Sequence, residues 1–98
     1  MVVILMGVDD AGTAAVARAL SISLGWPHTR GGDPDALHAA IAHVLGRREH
    51  LVVASGPLTE DEQQLARGGL LGVRFVTLRE PPVGVEESAE SIRREFGL

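Results

Sequence analysis

The sequence contains no cysteine, no lysine and no tyrosine, and its only aromatic residues are Trp26, Phe75 and Phe96. Without cysteine there is no disulfide, no thiolate metal site and no cysteine nucleophile. The apolar run at the start, "MVVILM", is too short to cross a bilayer and has no basic segment before it. No signal or anchor is expected, and a soluble cytoplasmic protein is. No segment is strongly basic, and the net charge is −4. Generic nucleic-acid binding and membrane association are therefore not expected. All the basic residues are arginine.

What is present is an apolar fraction of 45% in 98 residues, supplied mostly by Leu, Val, Ile and Ala. That length and composition suit one compact α/β domain over residues 1–98. Four strand-then-helix units follow one another. The first strand, residues 2–6, is apolar on consecutive residues, as a strand buried on both faces must be. Its helix covers residues 11–24, with Val16, Leu20 and Leu24 on one stripe and Gly25 as its stop. A weak strand at 28–30 leads through "GGDPD" into a helix over 34–45, with Asp33 as N-cap and Pro34 in the first turn. Leu37, Ile41, Val44 and Leu45 form its inner stripe. The third strand is 51–54. "TEDE", residues 59–62, is a capping box for a helix that ends at Gly68-Gly69. The fourth strand is 73–78, Pro81-Pro82 breaks the chain, and a last helix covers 85–96. Alternation of this kind implies a parallel sheet with helices on both faces.

The chemistry-bearing stretch is "GVDDAGTA", residues 7–14. A phosphate-binding loop is Gly, four residues, Gly, Lys, then Ser or Thr. Gly7 and Gly12 keep that spacing. Thr13 stands where lysine grips phosphate, and Ala14 stands where a hydroxyl holds magnesium. Asp9 and Asp10 lie where phosphates rest. No lysine elsewhere can substitute, because the chain has none. An aspartate at a helix start is a normal cap, and these carboxylates would compete with a phosphate for the positive end of the helix. The glycines also suit a tight strand-to-helix turn. His28, His43 and His50 have no metal-ligand spacing, and Ser55 has no acid–base partners set by a motif.

In order and register the chain resembles the small P-loop kinases of the gluconate kinase and shikimate kinase type. "VVILMGVDDAGTAAVARALSISLGWP" is similar to their first strand, loop and helix. "GGDPDALH" is similar to their Gly-Asp-x-Leu-His, "LVVASGPL" to the strand before Cys-Ser-Ala-Leu, "GVRFVTL" to the next strand, and "VEESAESIRREFGL" to the last helix. The resemblance implies a three-layer P-loop NTPase-like fold with a four-stranded parallel sheet in the order 2-3-1-4. It also implies a substrate-side role for Asp33 and His38. The other reading of Asp33 is the N-cap alone, and of His38 a rim or surface histidine beside Leu37. Departures from the family fall on the working positions. Thr59 and Glu60 replace the basic residue after Ser-Ala-Leu, and only "REPPVG" stands where the family has an arginine-bearing lid and a further strand.

Phosphoryl transfer consists almost wholly of positioning and charge neutralisation. A chain lacking the loop lysine, the metal hydroxyl and the lid arginines together is expected to be a degenerate relative without phosphotransfer, acting as a binding or interaction module and holding no cofactor. The alternative is a working ATP- and magnesium-dependent small-molecule kinase, or a nucleotide-binding protein, with an atypical loop. A homodimer is expected, because without the lid the fourth strand is an apolar edge blunted only by Arg74 and Arg79. Folding of the last helix over that edge, through Ile92 and Phe96, is the competing arrangement.

Overall fold

A computed structural model of the chain describes residues 1–78 and 84–98. Strands and helices alternate along them. They are β1 (Val2–Met6), α1 (Asp10–Leu24), β2 (His28–Arg30), α2 (Pro34–Gly46), β3 (Leu51–Ser55), α3 (Glu60–Arg67), β4 (Val73–Thr77) and α4 (Val85–Glu95). Among the described residues the strands form one parallel sheet in the order β2-β3-β1-β4. That is the order the kinase resemblance implies. Element ends differ from the sequence expectation by a residue or so, with one consequence, the start of α1 at Asp10.

The alternation of side chains along β1 sorts the core into two halves. Val2, Ile4 and Met6 point to one face, where Leu37 and Ile41 of α2 and Ala66 of α3 cover them. Val3 and Leu5 point to the other face, against Val16, Ala17 and Leu20 of α1 and Ala89 and Ile92 of α4. Every residue of β1 and β3 is buried. Their continuous apolar runs are thus a consequence of helices on both faces. The result is a three-layer α/β sandwich.

Of the two edge strands, β2 is the weak strand expected and β4 departs from the expected picture. β2 is three residues long, all exposed. The apolar side chains of β4 are not left open. Phe75 packs into the α2/α3 half of the core, with the Arg67 guanidinium 5.3 Å from its ring centre. Val76 and Leu78 pack into the α1/α4 half together with Phe96. Side-chain exposure along β4 therefore gives no argument for edge-to-edge pairing, and what the strand leaves free is its outer backbone. Arg79 and Pro81-Pro82 lie outside the described residues. Of the two leucines before β4, Leu70 packs against the core and Leu71 is 90% exposed.

Candidate phosphate-loop site

In an open parallel sheet, ligands bind beyond the carboxyl ends of the strands, where neighbouring crossovers leave on opposite faces. Here that point lies between β1 and β3. α1 follows β1 onto one face, and α3 follows β3 onto the other. Gly7 and Ser55 flank it, and the Gly7 N–H donates to the Ser55 carbonyl at 3.2 Å.

The connection from β1 to α1 is only Gly7-Val8-Asp9, because α1 begins at Asp10. Gly12 and Thr13 already lie in the first helical turn. The Asp9 carbonyl accepts both the Thr13 N–H, at 2.9 Å, and the Thr13 hydroxyl, at 2.8 Å. Thr13 is 3% exposed. Its hydroxyl sits against the α-carbon of Gly7, so closely that a methyl on Gly7 would overlap it. Glycine at 7 thus serves contact with Thr13, and the stretch is drawn inward. Ala14 faces a different place, the shallow groove between α1 and β2 that Arg18 and Arg30 also line.

Asp9 occupies the N-cap position without capping. Its carboxylate accepts no bond from the helix, which corrects the expectation of a capping side chain. The cause is backbone geometry. Asp33 and Thr59, which do cap α2 and α3, have ψ of 166°, whereas Asp9 has ψ of 105°. Its carboxylate instead leans on Gly12, where a Cβ would stand 2.9 Å from Oδ2. Asp10 is exposed in the first turn. Two carboxylates therefore meet the positive end of the helix, where a bound phosphate would otherwise benefit. Beside the loop, a cleft of about 350 Å³ is lined by Met6, Gly7, Val8, Pro57, Leu58, Thr77 and Leu78, with no charged side chain among the described residues.

If Thr13 holds the loop inward through Gly7, the two positions must be coupled. Gly7→Ala is expected to destabilise by about 1–3 kcal/mol, the usual effect of overpacking. In a Thr13→Ala background the same change should cost less than half as much, since the obstructing hydroxyl is gone. Urea unfolding of the four proteins reads the coupling directly, and equal costs in both backgrounds would contradict it.

The remaining predicted site residues make structural contacts. Asp33 Oδ1 accepts from the Ala36 N–H at 2.9 Å and caps α2. Asp33→Ala should cost about 1 kcal/mol, and Asp33→Asn should cost little because asparagine caps as well. An equal loss in both, seen by thermal unfolding, would mean the charge itself matters. His38 is half-buried, and its Nδ1 lies 3.1 Å from the Ala66 carbonyl at the end of α3. Half-buried as the rim reading has it, the imidazole also joins α2 to α3. Ser55 is buried, and its hydroxyl donates to the Gly56 carbonyl at 3.0 Å. Among the described residues no three His, Asp or Glu side chains converge as a metal site would need.

Inward packing of Thr13 was open to sequence reasoning only as a generic possibility, because a threonine four residues after an aspartate can bond back to its carbonyl. The His38–α3 contact had no local sequence signal at all.

The architecture is that of the P-loop kinase fold, and solved structures agree. A de novo designed P-loop-fold protein, studied in solution, superposes with a TM-score of 0.66 at 16% identity, over 97% of this chain and 75% of the design. A gluconokinase from Sinorhizobium meliloti 1021 superposes with a TM-score of 0.56 at 24% identity, over 98% of this chain and 65% of that one. A second designed protein, of the PFK fold, gives 0.62 at 16% identity, over 95% and 85%. The chain matches no protein-family model and no curated protein. At these identities the likeness is one of fold. No helix among the described residues is long and apolar enough to cross a membrane.

Proposed function

We propose that the chain is a degenerate relative of the small-molecule P-loop kinases, without phosphotransfer activity, that acts in the cytoplasm as a binding or interaction module. One observation carries the reading. The stretch that would encircle phosphate is shortened to three residues, closed by Thr13 on Gly7, and faced by Asp9 and Asp10. A triphosphate with magnesium does not fit these residues. It would need a cation at 13, a hydroxyl reaching the metal at 14 and free N–H groups around a ring of loop backbone. The chain offers a buried neutral hydroxyl, an alanine turned to another groove and two carboxylates.

The reaction assay is ADP release from Mg·ATP with gluconate or shikimate as acceptor. The expected rate does not rise above the protein-free background at any protein concentration. ADP release proportional to protein would restore the kinase reading.

A further inference from the structure

A groove of about 640 Å³ runs along the outer face between α1 and α4. Its floor is made of small residues, Ala19 and Ala89, and Ile22 stands on its wall at 72% exposure. Glu86, Glu90, Arg93 and Arg94 of α4 line it as well. Their spacing puts all four on one helical face. Their order matters more. The acidic pair sits toward the start of α4 and the basic pair toward its end, so the face reverses sign along its length. Such a face repels a parallel copy of itself and complements an antiparallel one.

We infer that this face is a homodimer interface, in which α4 lies antiparallel to α4 of a second copy across a two-fold axis near Ala89. The two-fold sets Glu86 of each protomer against Arg93 of its mate, and it brings the two Glu90 side chains, each paired with Arg94 of its own helix, close to the axis. Ala89 is itself buried against α1, and with Ala19 it leaves the groove between the helices free of bulky side chains, so that Ile22 becomes covered by the approaching helix. Local bonds do not prevent the exchange. Glu90 pairs with Arg94 at 3.1 Å, and Arg93 donates to the Ser23 hydroxyl and the Leu98 carbonyl at 2.8 Å, all at exposed positions. Exposed pairs of this kind are weak and trade partners readily. Glu86 makes no ion pair among the described residues. Exposed charges and a single large apolar side chain, Ile22, make a weak contact, so the dimer is sought at high protein concentration. Ion pairs at its rim make it weaken as salt rises. The inference rests on the reading of the chain as an interaction module, but its readout is mass and does not involve nucleotide.

Sedimentation equilibrium with charge-swapped variants tests it. Glu86→Arg/Glu90→Arg makes the face all basic, and Arg93→Glu/Arg94→Glu makes it all acidic. Each variant alone is expected to be monomeric at a concentration where the parent dimerises, and an equimolar mixture is expected to recover the dimer mass. Ile22→Glu, at an exposed site that leaves the fold intact, is expected to weaken the parent dimer at least tenfold. Circular dichroism confirms folding of each. A parent that stays monomeric up to 100 µM overturns the inference. So do variants that dimerise like the parent, which would move the contact to another surface such as the β4 edge, and so does a mixture that remains monomeric.

Discussion

Gly68→Ala is expected to destabilise the protein by about 3 kcal/mol, the largest loss from any single added methyl group. Gly68 ends α3 with φ of +53°, the left-handed conformation that alanine adopts only at a cost of about 1–2 kcal/mol. The second part of the effect comes from a neighbour. A Cβ at Gly68 would fall inside the His38 imidazole, 2.6 Å from Nδ1. The ring cannot simply swing away, because that nitrogen is bonded to the Ala66 carbonyl. Displacing it forfeits a hydrogen bond worth about 1 kcal/mol and unpicks the contact between α2 and α3. Total stabilities are about 5–15 kcal/mol, and in a domain this size each kcal/mol moves the melting point by about 4–8 °C. A fall of more than about 10 °C is therefore expected. In a His38→Ala background, Gly68→Ala should cost only the backbone part, about 1–2 kcal/mol. Equal losses with and without His38 would show that the imidazole plays no part.

The second large effect is a gain of binding. Thr13→Lys and Ala14→Ser, combined with Asp9→Ser and Asp10→Gly, replace two negative charges by one positive charge at the start of α1. Lysine cannot remain where Thr13 is buried against Gly7, so the loop must open. The variant is expected to lose about 2 kcal/mol of stability through the buried contacts it gives up. It is also expected to recover part of this with phosphate or ADP, since a ligand at a hundred times its Kd stabilises by about 2.7 kcal/mol. A melting point that rises with ADP in the variant and not in the parent is the signature. Turnover is not expected. An arginine at the γ-phosphate contributes a thousandfold or more, on the order of 10³–10⁵, and on the reading proposed above the chain has no lid to supply one. Phosphorylation of gluconate or shikimate by the variant would show that the lid matters less than this.

Much of the fold was legible in the sequence because its signals are local. The apolar runs of β1 and β3, the Asp33-Pro34 start of α2 and the Thr59–Glu62 capping box all appear as read, the last with both of its reciprocal bonds. Strand order came from family resemblance, since periodicity does not order strands. That Thr13 and Ala14 stand where a phosphate-binding loop has lysine and a hydroxyl can be read off the sequence alone. Their directions cannot. Thr13 turns inward because Asp9 adopts a ψ that presents its carbonyl and withholds its carboxylate, a backbone fact with no single-residue signature. The roles of Asp33 and His38 likewise depended on contacts three and twenty-eight residues away. The second of these is a long-range pairing that only the packed helices create. Packing of Val76 and Leu78 in one cluster with Ile92 and Phe96 follows the competing arrangement rather than the favoured one, and packing of Phe75 into the α2/α3 half had no local signal.

Whether the closed loop accepts nucleotide is the question on which the account turns, and calorimetric titration with Mg·ATP answers it most directly. Trp26 is a poor reporter, being stacked on His50 with ring centres 4.3 Å apart, beyond the far end of α1 and about 21 Å along the helix from the loop. Heat of binding needs no reporter. No saturating heat is expected with ATP, ADP or GTP up to millimolar nucleotide. Saturating heat with a Kd below about 1 mM, a binding free energy stronger than about −4 kcal/mol, would contradict it.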